Sequence, residues 1–419
     1  MARTLALLAL TTLLTLAAYG AGPQPVVTYT FLCTDTAFLG AGPCPQGGRP
    51  DSLIQGSDGN FYGTTEDSME GSSTPSGGTV FSVTPAGKFT LLHTFAPGAN
   101  NNYPNGNLPG NLVEGSDGKL YGSTLFGGIG GCNGYCGSGV LYRVNKDGSG
   151  FQILHKFCSA KNCTDGGSGV LVAGTDGNLY GASFSGGTGN CGQYYIGCGT
   201  IFKVTPSTGA YAVVVSFNPA TTGEFPSGLT AGADGTFHGL NDTSTGESLF
   251  HFTPSTGAVT VTPLHFPSVN GLPSHGGDLT LGANGNFYGL YTVYAVSGEG
   301  MFEVHPDGSH LNLFAFYTTQ EDGGAPDGLL LGSDGNFWVA NYNGTNAYGN
   351  IIQLSPSTGQ LMQTLNVFSA TTPVGSYPGE IIEAKDGTLW GSTYQNGKNG
   401  TGQFADGTVF SLKVGLPAK

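Results

Sequence analysis

The chain has 419 residues, with 13 Lys and Arg against 27 Asp and Glu, and its net charge of −14 argues against nucleic acid or an anionic membrane as a partner. Charged residues make up only 10% of it, while glycine reaches 74 and proline 23. So much glycine without order would indicate disorder, but here the glycines recur at fixed places and mark turns and bulges.

The first predicted element is a leader. Met1-Ala2-Arg3 supplies one positive charge, Thr4 to Ala18 is almost wholly apolar and threonine, and Gly20-Ala21-Gly22 gives small residues at the exit. This is the make-up of a secretory signal peptide over residues 1–22. The apolar run is short for a membrane span, and no later stretch approaches one. The expectation is a secreted, soluble monomer, extracellular or periplasmic, with a repeat domain over 26–414.

After the leader, one phrase recurs seven times: a small residue, Asp-Gly or Asn-Gly, any residue, two apolar or aromatic residues, and usually Gly. It stands at Asp58-Gly59, Asp117-Gly118, Asp176-Gly177, Asp234-Gly235, Asn284-Gly285, Asp334-Gly335 and Asp386-Gly387, spaced by 50–59 residues. A period that long makes each unit a small sheet. In the second unit, strands are predicted at Leu112 to Gly115, Lys119 to Gly122, Val140 to Val144 and Phe151 to Phe157, with a type I′ turn at Asp117-Gly118 between the first two. The third turn recurs as Thr84-Pro85, Thr205-Pro206, Thr253-Pro254, His305-Pro306 and Ser355-Pro356, each closed by Gly. Four short strands per unit, none with a helical period, predict an all-β, seven-bladed β-propeller with four antiparallel strands per blade.

Fourth strands end at Phe95, Phe157, Phe217, Phe266, Phe316 and Phe368, one fewer than the turns, and the last unit stops at a third strand, Val409 to Leu412. The missing strand precedes the first unit, at Val26 to Phe31. The N-terminal strand should complete the last blade and close the ring, removing both sheet edges.

The Asp-Gly and third turns are short, so the opposite face carries the long loops and all eight cysteines. Their spacing and an oxidising compartment suggest neighbour disulfides: Cys33 with Cys44, Cys132 with Cys136, Cys158 with Cys163, and Cys191 with Cys198. A zinc site is the alternative, against which stands the absence of two-residue gaps between the cysteines. Stapled loops on a rigid ring are either a recognition face or simply Gly-rich loops held in place. Five of the seven innermost strands are entered by Pro, two residues, then Leu or Ile, as at Pro50-Asp51-Ser52-Leu53 and Pro378-Gly379-Glu380-Ile381; the third and fifth lack the Pro, but the fifth has Asp278 at the position of Glu380. Asp51, Asn111, Asp278, Asp327 and Glu380 should therefore ring the channel mouth, with His275 beside Asp278. Such carboxylates either converge on Ca²⁺ or a polyol, or stand too far apart and are merely solvated.

Catalytic motifs are missing: no HExxH and no G-x-S-x-G. Gly187-x-Gly189-x-x-Gly192 lacks the following helix a dinucleotide fingerprint needs. His238 takes the slot that holds Tyr or Trp elsewhere and reads as packing; His275 with a carboxylate is the better general acid/base candidate. Asn162, Asn241, Asn343 and Asn399 are glycosylation sequons.

The unit carried by Leu53 to Thr65, Gly78 to Pro85 and Leu91 to Phe95 resembles the bacterial GloVer (Gloeobacter/Verrucomicrobia) tandem repeat, most clearly in the first three units. The resemblance implies an exported protein and no established activity. A fainter similarity is to streptogramin lyases, seven-bladed propellers with an Asp-Gly-x-Leu-Trp-Phe phrase, whose catalytic His and Glu find no matching positions here. The expectation is a secreted, non-catalytic propeller binding carbohydrate or protein through its stapled face. The alternative is a secreted lyase or hydrolase with its site at the channel mouth.

Overall fold

A computed structural model describes residues 23–32, 46–66, 77–98, 102–129, 138–192, 196–243, 246–266, 268–269, 272–276, 278–293, 298–315, 324–343, 348–369, 372–395, 397–398 and 404–419. The leader, Cys33, Cys44, Cys132, Cys136, Phe316 and Asn399 lie outside them, as do the side chains of His275 and Asp327. The described chain forms seven antiparallel sheets. Blade 1 runs Gly48–Gln55, Phe61–Glu66, Thr79–Val83, Phe89–Thr94. Blade 7 runs Ser376–Glu383, Leu389–Gln395, Phe404–Leu412, with Val26–Leu32 as its outermost strand. The innermost strands touch one another in sequence order around the circle, and that of blade 7 touches that of blade 1. Val27 pairs with Phe410, so the N-terminal strand completes the last blade as expected and the fold is a closed seven-bladed propeller.

Packing explains the repeat phrase. Second and third strands are buried almost throughout, whereas fourth strands form the half-exposed rim. In six blades the Phe at or just after the end of the fourth strand packs on an aromatic of the next blade's third strand. Ring centroids are 5.1 Å apart at Phe31–Phe81, Phe95–Tyr142 and Phe266–Phe302, and 5.3–5.5 Å at Phe157–Phe202, Phe217–Phe250 and Phe368–Phe410. Each such pair adds about 0.5–1.5 kcal/mol beyond its buried area. Phe31 shows that the N-terminal strand serves this ladder like any other.

The third-strand ring also lies flat over the glycine that ends the repeat phrase. A Cβ at Gly63, Gly122, Gly181, Gly239, Gly289 or Gly391 would fall 2.3–2.9 Å from that ring or its hydroxyl. Blade 6 confirms the steric reading by exchanging both partners: Val339 replaces Gly and faces Ile352 in place of the aromatic.

The Asp-Gly turns differ from prediction. They are not two-residue type I′ turns, because only the Gly of each pair has positive φ (82° at Gly59). Gly59 N–H donates to Gly56 O (3.0 Å) and Gly56 N–H to Asn60 O (2.8 Å). The loop is thus three residues, a type I turn closed by a left-handed Gly. The Asp side chain decides the difference. Asp58 Oδ1 accepts the Asn60 N–H (3.3 Å) and Oδ2 accepts the Tyr62 hydroxyl (2.7 Å), an Asx-type hold that keeps Asp in ordinary backbone space. Tyr121 and Tyr180 bind Asp117 and Asp176 alike (3.0 and 2.8 Å). In blade 5, where Asn284 replaces Asp, Glu303 receives the Tyr288 hydroxyl instead (2.8 Å).

Candidate functional site

Where the innermost strands enter the ring, their ladder is interrupted. Two residues face one at Asp51-Ser52 (between the Pro50–Thr65 and Leu53–Gly63 pairs), Gly110-Asn111, Gly328-Leu329 and Gly379-Glu380. Such bulges re-aim side chains. These four bulges, with the strand entrances of blades 3 to 5, line a single axial cavity of about 320 Å³ to which every blade contributes, among others Asp51, Asn111, Val170, Gly228, Asp278, Gly328 and Glu380. Blade-to-blade ties fix the rim. Ser123 Oγ donates to Gly169 O (2.8 Å) and Ser392 Oγ to Pro50 O (3.0 Å). Thr230 and Thr280 do the same for Leu279 O and Leu329 O (2.6 and 2.7 Å).

Four of the six residues singled out from the sequence therefore share this cavity. Gly228 leaves room for the carboxylate of the next blade: a Cβ there would meet Asp278 Oδ1 at 2.6 Å. At Gly328 a Cβ would stand 3.7 Å from Glu380 Oε1, ordinary contact with no clash, but its φ of 73° favours glycine. Asp327 stands at the edge of the blade 6 bulge, paired with Ala340. His275 is on Leu272–Gly276, paired with Thr292. The lining holds three carboxylates and one amide and no cationic side chain. Among the described residues, the only three Cys, His or carboxylate groups close enough to share an ion are Cys191, Cys198 and Glu224, and both sulfurs are spent in a disulfide.

A second, more apolar groove of about 260 Å³ opens beside the axial cavity and shares Asp51, Asn111 and Val170 with it. Leu108, Pro109 and Leu125 line its outer part.

Sequence reasoning missed a collar around this mouth. The residue before the entrance proline, Arg49, Leu108, Phe225 or Tyr377, has φ of 55–60°. A following Pro disfavours that region, and residues other than Gly, Asn and Asp rarely enter it. Three of these side chains lie over the residue that ends the previous blade's second strand or its close neighbour. Arg49 sits 5.0 Å over the Tyr394 ring. Phe225 stacks on Phe184, and Tyr377 on Tyr342, each at 4.7 Å. Tyr394 also donates to Glu66 Oε2 (3.1 Å), and burial pushes its phenol up to about 12. The sequence signal was the variable residue before Pro, but its handedness is invisible in the letters.

Two predicted disulfides are formed, Cys158–Cys163 and Cys191–Cys198. The first follows the last strand of blade 2; the second lies between the middle strands of blade 3, on the mouth side. His238 is buried (3% exposed) against Phe287 and His251. Burial first, and the neighbouring His251 second, lower it to about 4, so it is packing, as expected. Asn241 is also buried, donating to Thr222 O (2.7 Å), which removes it as a glycosylation acceptor in the folded state.

With this architecture in view, comparison with known proteins is direct. A family model described as the Gloeobacter/Verrucomicrobia repeat matches residues 49–293. The chain belongs to this family. Regucalcin of Xenopus laevis is 38% identical over 60 residues, 14% of this repeat protein and 19% of regucalcin. Regucalcin of Danio rerio matches at 35% over 51 residues, 12% and 16% of the two chains. The chain thus spans about a fifth of the length of the curated relatives it matches. Among solved structures, the extracellular domain of a putative hybrid two-component system from B. thetaiotaomicron superposes with TM-score 0.56. The match has 13% identity and covers 96% of this chain and 44% of that one. A putative 6-phosphogluconolactonase from Bacteroides fragilis gives 0.52 at 18% identity, covering 83% and 94%. These two likenesses show the propeller alone. No described helix is long and apolar enough to cross a membrane.

Proposed function

We propose that this Gloeobacter/Verrucomicrobia repeat protein is an exported, non-catalytic propeller that binds carbohydrate at its axial mouth. The observation that carries the reading is the axial lining: Asp51, Asn111, Asp278 and Glu380 reach one cavity from four different blades, with no cation among them. Separated acceptors suit a ligand that brings several hydroxyl donors on a rigid ring. A carboxylate accepting a hydroxyl makes a charge-assisted bond, about twice as strong as a neutral one. A bare Ca²⁺ needs six to eight oxygens at about 2.3–2.6 Å, a tighter convergence than three described groups offer here, so we propose sugar binding without a resident cation. Export agrees with the leader composition and with the two disulfides.

Glycan-array screening of the oxidised protein, with and without Ca²⁺, tests this, followed by calorimetry on the hits. Asp278→Asn and Glu380→Gln should each weaken binding at least about tenfold, the scale of one charge-assisted hydrogen bond. Silence on the array in both conditions, or heat from Ca²⁺ alone with none from sugar, refutes the reading.

A further inference from the structure

The collar of left-handed residues before proline is costly, and the chain does nothing to avoid the cost. Glycine would adopt the same backbone freely, and the chain uses 74 of them elsewhere. Yet four of these positions carry Arg, Leu, Phe and Tyr, large side chains held in a region that residues with a Cβ avoid. Strain retained this way points to what the side chain does, and such strain clusters at ligand clamps.

Two of the positions are built alike. Phe225 stacks nearly parallel on Phe184 (17°) and Tyr377 on Tyr342 (22°), each at 4.7 Å. Phe184 remains 51% exposed next to the mouth. Both strained amides are anchored from the preceding blade: Phe225 N–H donates to Cys198 O (2.8 Å) and Tyr377 N–H to Tyr348 O (2.9 Å). Cys198 is bonded to Cys191, so that disulfide holds the carbonyl that holds Phe225. Each strained residue lies three positions before a residue lining the axial cavity, Gly228 and Glu380, roughly 10 Å along an extended strand. The two pairs belong to blades 3–4 and 6–7, on different sides of the axis.

We infer that these two stacked pairs are subsites for the apolar faces of sugar rings, flanking the axial cavity, and that the ligand is an oligosaccharide rather than a single sugar. The inference rests on the carbohydrate reading above and adds the ligand's length and the side chains that measure it. The disulfide at Cys191–Cys198 then is both staple and part of the recognition surface.

The test uses the full, oxidised chain with cellohexaose, maltohexaose and chitohexaose, each set against its own monosaccharide in calorimetry. At least one hexasaccharide should bind about tenfold or more tightly than its monosaccharide, the scale of one aromatic anchor. Phe184→Ala, at an exposed position, should cut that advantage severalfold and leave both the monosaccharide affinity and the melting temperature in place. Phe225→Gly should cut it likewise, while the melting temperature holds or rises because the strained φ is relieved. The double variant Cys191→Ser, Cys198→Ser should weaken the hexasaccharide selectively. Equal affinity for long and short sugars, or full hexasaccharide affinity in Phe184→Ala, overturns the inference and leaves the axial site standing. Absence of binding by any sugar overturns both; a protein ligand captured through Phe184 instead would do the same.

Discussion

The ring-over-glycine contact makes a sharp prediction in blade 3. Gly181 pairs with Phe202, whose Cζ lies 2.3 Å from where a Cβ would be. Gly181→Val therefore forces the Phe202 ring out of its place between blades, where it also meets Phe157. Overpacking of a core costs about 1–3 kcal/mol, occasionally more, and with the contact this short about 3 kcal/mol is expected. Phe202→Ile alone leaves a void and should cost about 2 kcal/mol, below the 3–5 of a full Phe truncation. If the two sites were independent, the double variant would lose about 5 kcal/mol. Blade 6 shows the exchanged pair in place, Val339 facing Ile352 with both fully buried. The double variant should accordingly lose only about 2–3 kcal/mol, a coupling of roughly 2–3 in the range for residues in contact. Urea unfolding of the four proteins with disulfides intact measures the cycle. Losses that add to within about 0.5 kcal/mol, the tolerance for unrelated sites, would refute the steric account of the repeat glycine.

Closure through the N-terminal strand predicts that Phe31→Ala, at a fully buried ring packed on Phe81 and Phe89, lowers stability by about 3–5 kcal/mol; a loss under 1 kcal/mol in urea melts would mean that this strand is not needed. His238 is held down to about 4 mainly by burial, while the unfolded chain takes up the proton near 6.5. Its neutral form contributes stability above about pH 6.5 that is lost as pH falls towards 4. His238→Tyr, which restores the residue of other blades beside Asp234, should shrink the drop in melting temperature between pH 7 and pH 5, and an unchanged drop would speak against it. At Asp176 burial works upward, yet the hydrogen bonds from Asn178 and Tyr180 together outweigh it and hold the carboxyl below its usual range. That contribution is present above about pH 4 and fades as pH falls through the lowered value, so Tyr180→Phe should melt earlier at pH 7 than the parent and the gap should narrow by pH 3.

Ring order, blade number and closing partner were legible because they depend on periodicity and on counting complementary half-units. Val27 opposite Phe410 needed only the register of one strand against the last. Asn111, Asp278 and Glu380 were legible as a set because equivalent positions of a closed ring must converge on its axis, and Asp51, one place earlier in its unit, reaches the same cavity. The Asp-Gly turn type was misjudged because dipeptide preference says nothing of the bond that the Asp or Asn Oδ1 accepts from the N–H two residues on, made in all seven blades. That bond reverses the choice between two turns with similar propensity.

What the residues alone determined is whatever recurs: strands, glycine sites, cysteine pairs close in the chain, and the axial position of each unit's entrance. What only the tertiary structure decided is whatever arises between units. The left-handed conformation of Arg49, Leu108, Phe225 and Tyr377 runs against the local preference of a residue before proline. It is imposed by carbonyls and rings of the preceding blade, as Cys198 and Phe184 do for Phe225. A local rule reads a residue with its chain neighbours, whereas these side chains answer to neighbours across the blade boundary.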